Sequence, residues 1–146
     1  IIDVKNTILN VVLNQKYRTA RNQNISIIFQ INNLTNIWIE DTDMVIIMSN
    51  LLDNAIEAVR KIKEEEKRVI SMRVYAKEDL IILQIENTCL EETSVPEDGN
   101  LSTTKSDKNY HGYGIGSIRK IVETYNGSLS LRKNDNMFIL TAVFAR

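Results

Sequence analysis

Between residues 42 and 63, Val45, Met48, Leu52, Ala55, Val59 and Ile62 recur at alternating steps of three and four. Only a helix places such a series on one stripe, since about 3.6 residues complete each turn. The spacing predicts a helix over about 42–63, with Asp41, Thr42 and Asp43 offering the N-cap and first-turn acids. A helix that is apolar on one side must bury that side, and the flanking segments supply the surface. Residues 25–31 (Ile-Ser-Ile-Ile-Phe-Gln-Ile) are β-branched and aromatic and end on Asn32-Asn33, so they read as a strand. Residues 69–76 and 80–87, separated by Lys77-Glu78-Asp79, read as a hairpin, and 128–133 with 137–144 as another turning at Asn134-Asp135-Asn136. Residues 4–22 carry Val4, Ile8, Val11, Val12 and Gln15 at helical spacing, followed by a basic stretch around Arg18 and Arg21. Residues 115–125 form a short helix with Ile118, Ile121, Val122 and Tyr125 inward, stopped by Asn126-Gly127. That order predicts a two-layer α/β sandwich: one mixed, largely antiparallel sheet covered by helices on one face.

Size and charge narrow the function classes. A chain of 146 residues can bury most of its apolar surface as one domain. A formal charge of −1 gives no reason to expect nucleic acid as a partner. The single cysteine, Cys89, excludes an internal disulfide and suits a reducing compartment. No apolar run approaches the roughly 18 residues that span a bilayer. The start, Ile1-Ile2-Asp3, has no charged leader and no methionine, and reads as a cut from a longer protein.

Two polar features carry chemistry. Asn50 and Asn54 lie one helical turn apart, nearly opposite the apolar stripe, on a side they share with Ile47, Leu51 and Ala58. Magnesium takes hard oxygen ligands and binds through one or two side chains plus substrate phosphates, and an amide oxygen serves without adding negative charge. A solvated polar helix face is the plainer reading of the same residues. Gly112, Gly114 and Gly116 open directly into the 115–125 helix, where backbone N–H groups and the positive helix end suit a phosphate. A hinge is the plainer reading there. The dinucleotide fingerprint needs a strand immediately before the glycines, and a P-loop needs a following Gly-Lys-Ser/Thr; neither is present. From Thr88 to His111 there is no periodicity, and a loop that long in a compact domain is functional or disordered.

The strings Asn50-Leu-Leu-Asp-Asn54-Ala-Ile-Glu57-Ala58 and His111-Gly112-Tyr-Gly114-Ile-Gly116-Ser-Ile-Arg-Lys-Ile-Val closely resemble the N box and second glycine box of sensor histidine kinases. These belong to the GHKL superfamily, with DNA gyrase B subunits, MutL and a heat-shock chaperone, and share its Bergerat fold. The wording is nearest to the peptide-quorum-sensing kinases of the AgrC type. The resemblance covers roughly residues 25–146, with residues 1–24 as a helix leading from an absent dimerisation and phosphoacceptor region. It implies that Asn54 coordinates Mg2+, with Asn50 assisting, and that Gly112, Gly114 and Gly116 line the phosphates of ATP. They would end a mobile lid at about 88–111, from which Lys105 and Lys108 reach the phosphates. Thr141 matches the family's hydroxyl near the adenine. Asn87, in Ile85-Glu86-Asn87-Thr88-Cys89, stands where most kinases read the adenine with an Asp in an Asp-x-Gly-x-Gly box; its side-chain oxygen can accept the same hydrogen bond. Glu57 stands where many of these kinases place a basic residue.

One difference separates donor from hydrolase. Hydrolysing relatives carry Glu four residues before the metal-binding Asn as the base that activates water; here that residue is Asn50, and an amide takes no proton at neutral pH. The resemblance therefore implies transfer of the γ-phosphoryl to a histidine on a separate dimerisation domain, with a response regulator downstream. The chain would be the cytoplasmic domain of a membrane-anchored bacterial sensor. His111, the only histidine, lies against the glycine box rather than on a dimerising hairpin. An anti-sigma serine kinase, a GHKL ATPase module and a nucleotide-free scaffold are the alternative readings.

Overall fold

The shape of the molecule follows from how its five strands cross. A computed structural model describes residues 2–32, 34–35, 37–93 and 115–146. In chain order these form α1 (Thr7–Asn22), β1 (Ser26–Ile31), α2 (Asp41–Arg60), β2 (Val69–Lys77), β3 (Leu80–Thr88), α3 (Ile115–Thr124), β4 (Ser128–Asn134) and β5 (Met137–Ala145). The strands lie in the order β1-β2-β3-β5-β4. β1 and β2 are parallel, with α2 as the crossover between them, while every other pairing is antiparallel. This is the expected mixed sheet.

Strict alternation sorts the sheet into two faces. Ile70, Met72 and Val74 on β2 are buried, as are Ile81, Leu83 and Ile85 on β3, Leu129 and Leu131 on β4, and Leu140, Ala142 and Phe144 on β5. These side chains and the helices that cover them form the core. The opposite face carries a polar row, Gln30, Arg73, Gln84, Thr141 and Ser130, aligned by register across all five strands. Arg73 Nη2 donates to Gln84 Oε1 (3.1 Å), and Gln84 Nε2 donates to Thr141 Oγ1 (3.2 Å). Two-residue loops close both hairpins, at Glu78-Asp79 and Asp135-Asn136, with the first residue of each in the left-handed region (φ 53° and 54°).

The helices are held at their ends. Asn6 caps α1, its side-chain oxygen accepting from Leu9 N–H, and its Nδ2 donates to Asp41 Oδ1 (2.9 Å) at the start of α2. The left-handed Asn24 and Asn126 end α1 and α3 alike. Ile25 N–H returns to Ala20 O (3.0 Å) and Gly127 N–H to Val122 O (2.9 Å), the Schellman arrangement. Gly127 is required where it stands: a Cβ there would lie 2.1 Å from Val143 O. At the other end, the Arg68 guanidinium donates to Ile62 O (2.9 Å), Arg60 O (3.4 Å) and Gln23 O (3.0 Å), joining the C-terminal ends of α2 and α1.

Two expectations change. In α1 the buried residues are Leu9, Leu13 and Ala20, while Ile8 and Val11 are 51% and 65% exposed. Of the residues at helical spacing, Val4 is buried ahead of the helix while Ile8 and Val11 face outward, because apolar residues on both flanks offer two registers and packing against α2 and β1 selects one. Leu9, Leu13 and Ala20 of α1 belong to the core. In α2, the N-cap position falls to Glu40, with Asp41 and Asp43 in the first turn.

Candidate functional site

α2 is buried over a wider arc than its sequence stripe. Met44, Ile47, Met48, Leu51, Leu52, Ala55, Ile56 and Val59 are all buried, covering about half of the helix circumference at 100° per residue. Val45 is only partly buried, and Ile62, though buried, lies past the end of the helix. Asn50 and Asn54 are half-buried at one margin of this arc, next to Ile47. Glu57 is exposed. An amide pair set at the edge of an apolar surface, neither immersed nor freely solvated, is the environment of a pocket wall rather than of an outer face.

The arc has a neighbour. Asp43 falls within about 20° of both Asn50 and Asn54 around the helix. The Tyr125 hydroxyl, just beyond the C-terminal end of α3, donates to Asp43 Oδ2 (2.6 Å) and accepts from Glu40 N–H (3.1 Å). Burial, then the hydrogen bond to Asp43, pushes the Tyr125 phenol above its ordinary pKa. The end of α3 is thereby tied to the start of α2, and the two helices pack on each other. At about 1.5 Å per residue, the first turn of α3 lies roughly 14 Å back along the helix from this tie. Gly116 lies in that turn, exposed, and among the described residues an added Cβ there would meet nothing within 4 Å. Packing does not demand glycine at this position, whereas it does at Gly127.

Asn87 is the third element. On β3 it pairs with Ile70 and Phe138 on the face that the helices cover, and it is 5% exposed. Among the described residues it is the one buried polar side chain. Its Nδ2 donates to Thr88 O (2.9 Å). Because a carbonyl only accepts, that bond fixes the amide's orientation and leaves Oδ1 as its acceptor side. Cys89 follows, also buried, and its thiol is pushed up by burial, which makes it a packing residue rather than a nucleophile. Its backbone N–H donates to Asn136 O (2.7 Å), one hydrogen bond past the end of β3 at Thr88.

Thr141 is not brought to this site. The register places it in the polar row of the open face, bonded to Gln84, while its neighbours Leu140 and Ala142 enter the core. A strand that presents Leu140 and Ala142 inward must present Thr141 outward. Lys105, Lys108, His111, Gly112 and Gly114 lie outside the described residues.

Two contacts near the amides were invisible to spacing. Lys16 on α1, its side chain only 16% exposed, pairs with Asp53 Oδ1 at 2.6 Å, which engages the carboxylate between the two asparagines. The Tyr125–Asp43 bond joins residues 82 apart; no local periodicity reports such a pair. Among the described residues no group of three or more His, Cys, Asp or Glu side chains gathers in a metal-binding cluster. A cation here would depend on amide oxygen, water and the ligand's own oxygens, the donor set that suits magnesium held by phosphates.

Comparison with known proteins places this architecture. The profile of the GHKL domain family matches residues 39–145, and the chain belongs to that family. Among solved structures, the catalytic domain of histidine kinase ThkA is similar with a TM-score of 0.71 and 21% identity, covering 97% of this chain and 91% of that one. Acinetobacter baumannii histidine kinase AdeS aligns with a TM-score of 0.68 and 14% identity, over 95% of this chain and 63% of its own. A mycobacterial sensor histidine kinase, MprB, gives 0.61 and 14%, over 94% and 93%. At these identities the likeness is one of fold: an α/β fold with a five-stranded mixed sheet, as in histidine kinase catalytic domains. No curated protein sequence matches the chain.

Proposed function

We propose that the chain is the ATP-binding catalytic domain of a sensor histidine kinase, transferring the γ-phosphoryl of Mg-ATP to a histidine on a separate dimerisation domain, with a response regulator downstream. The observation that carries this reading is Asn87, a lone buried amide at the end of an apolar sheet face, with its nitrogen already engaged. An acceptor at that position suits the exocyclic amine of adenine. Asn54 would hold the magnesium, with Asn50 assisting, and the glycines that enter α3 would approach the phosphates. The ion, when bound, neutralises charge that develops on the phosphoryl oxygens. The protein's part is then positioning, since Asn50, four residues before the metal-binding Asn54, supplies no base for water. The wording of the N and glycine boxes supports the AgrC-type, peptide-quorum-sensing branch, and with it a membrane-anchored parent whose lid lysines, Lys105 and Lys108, meet the phosphates.

Calorimetry with Mg-ATP tests the reading. The parent chain is expected to bind and Asn54→Ala to lose at least about tenfold in affinity, the effect of removing one metal-ligating or charge-assisted contact. Absence of binding by a folded parent chain would favour a scaffold that uses this fold without nucleotide.

A further inference from the structure

The N-terminus of α2 has no cap of its own. Glu40 stands at the N-cap position and its side chain makes no capping bond. In a self-contained capping box, the residue three positions on accepts from the N-cap N–H. Asp43 holds that place, but Tyr125 stands between the two: its hydroxyl accepts from Glu40 N–H and donates to Asp43 Oδ2. The box is completed by a residue from another helix. The Tyr125 ring is itself fixed, edge-on to the buried Phe144 of β5, with centroids 6.3 Å apart and planes at 77°. The hydroxyl is thus anchored to the sheet through its ring and to α2 through both of its hydrogen-bonding functions.

The consequence reaches the site because Asp43, Asn50 and Asn54 share one narrow arc of α2. Whatever sets α3 against Asp43 also sets the entry of α3, where Gly116 lies, against Asn54. We propose that Tyr125 is a positioning residue of the nucleotide site, its hydroxyl fixing the glycine-box helix in register with the amide face of α2. This rests on the ATP-binding reading above. A plain helix cap would contribute stability alone; a register pin contributes to affinity through the acceptor it grips, whatever that acceptor's charge.

That distinction defines the experiment. Mg-ATP affinity and melting temperature are measured on the whole chain for the parent, Tyr125→Phe, Asp43→Ala, Asp43→Asn and the Tyr125→Phe/Asp43→Ala pair. Tyr125→Phe keeps the ring contact and loses both hydrogen bonds. Asp43→Asn loses the favourable first-turn charge but keeps an oxygen that accepts from the hydroxyl. We expect Tyr125→Phe and Asp43→Ala each to weaken binding by about tenfold, the equivalent of one net hydrogen bond. The double variant should be no weaker than either single one, the mark of a shared contact. Asp43→Asn should melt lower, like Asp43→Ala, yet bind within about twofold of the parent. Affinity that instead falls in step with melting temperature, Asp43→Asn included, overturns the proposal. Amide exchange at residues 119–122, the first amides bonded within α3, gives a readout without nucleotide. It should quicken in Tyr125→Phe and Asp43→Ala but not in Asp43→Asn. Unchanged exchange in all three refutes the pin. A parent chain that binds no Mg-ATP while showing this exchange pattern refutes the nucleotide reading and leaves the pin standing.

Discussion

Two glycines in one helix and its exit turn show how differently the same residue is used. Gly127 is demanded by backbone: Val143 O and Val122 O leave no room for a Cβ. Gly116 faces open space among the described residues, none of which demands a glycine there. The two explanations for it, hinge and phosphate cradle, give opposite signs for one substitution. Gly116→Ala should leave stability unchanged or raise it by up to about 1 kcal/mol, since alanine is the better helix former. If the glycine lets a phosphate approach the backbone, the same change should weaken Mg-ATP binding at least about fivefold, because a methyl group then occupies the ligand's place. Thermal melting and calorimetry on the one variant decide it; stabilisation with unchanged affinity would remove Gly116 from the site. The residue scale also marks what sequence conveyed. Asn50 and Asn54 stand out by type beside apolar neighbours, whereas Asn87 is marked by the resemblance alone. Strand parity, set by Leu140 and Ala142, turns Thr141 to the open face.

At the scale of elements, α2 is held at both ends by residues foreign to it: Asn6 and Tyr125 at its start, Arg68 at its end. A guanidinium suits this last task because its planar fork reaches three carbonyls at once and its charge opposes the helix dipole. Arg68→Ala should therefore cost about 2–3 kcal/mol, the worth of charge-assisted bonds to otherwise orphaned carbonyls. Arg68→Lys should recover less than half, since an ammonium cannot span Ile62, Arg60 and Gln23 together. Urea unfolding followed by circular dichroism measures both; equal stability for Ala, Lys and parent would show that the clasp is incidental. The strands and helices themselves were readable within a few residues of their ends, because alternation and 3.6-residue periodicity are local. Local rules leave the inward face of α1 undecided. Ile8 and Val11 on one flank and Leu9 and Leu13 on the other satisfy the same local rule, and only the position of α2 and β1 chooses between them.

Across the whole molecule, the arrangement separates binding from chemistry. The helices cover the side of the sheet that carries Asn87, while the open side carries a ladder of neutral and basic side chains that bond to each other. Of the carboxylates on α2, Asp53 is engaged by Lys16 and Asp43 by Tyr125, while Glu57, beside the amides, is exposed. On the ATP-binding reading proposed above, such a domain would position a phosphoryl group, and Asn50 would supply no base to activate water against it. Magnesium-dependent hydrolysis by the isolated chain is accordingly expected to be very slow, even at saturating ATP. Transfer should begin only when a histidine-bearing dimerisation domain is supplied. The measurement is release of labelled phosphate against labelling of that domain, with and without a chelator. Chelation should abolish labelling, and Asn54→Ala should reduce it in proportion to its loss of ATP affinity. Rapid multiple-turnover release of phosphate by the chain alone would make it an ATPase module and remove the kinase reading. Labelling of a serine-bearing antagonist in place of the histidine domain would keep the nucleotide site and move the acceptor. The discriminating feature is Asn50: a side chain that can ligate but not deprotonate leaves the choice of nucleophile to the partner.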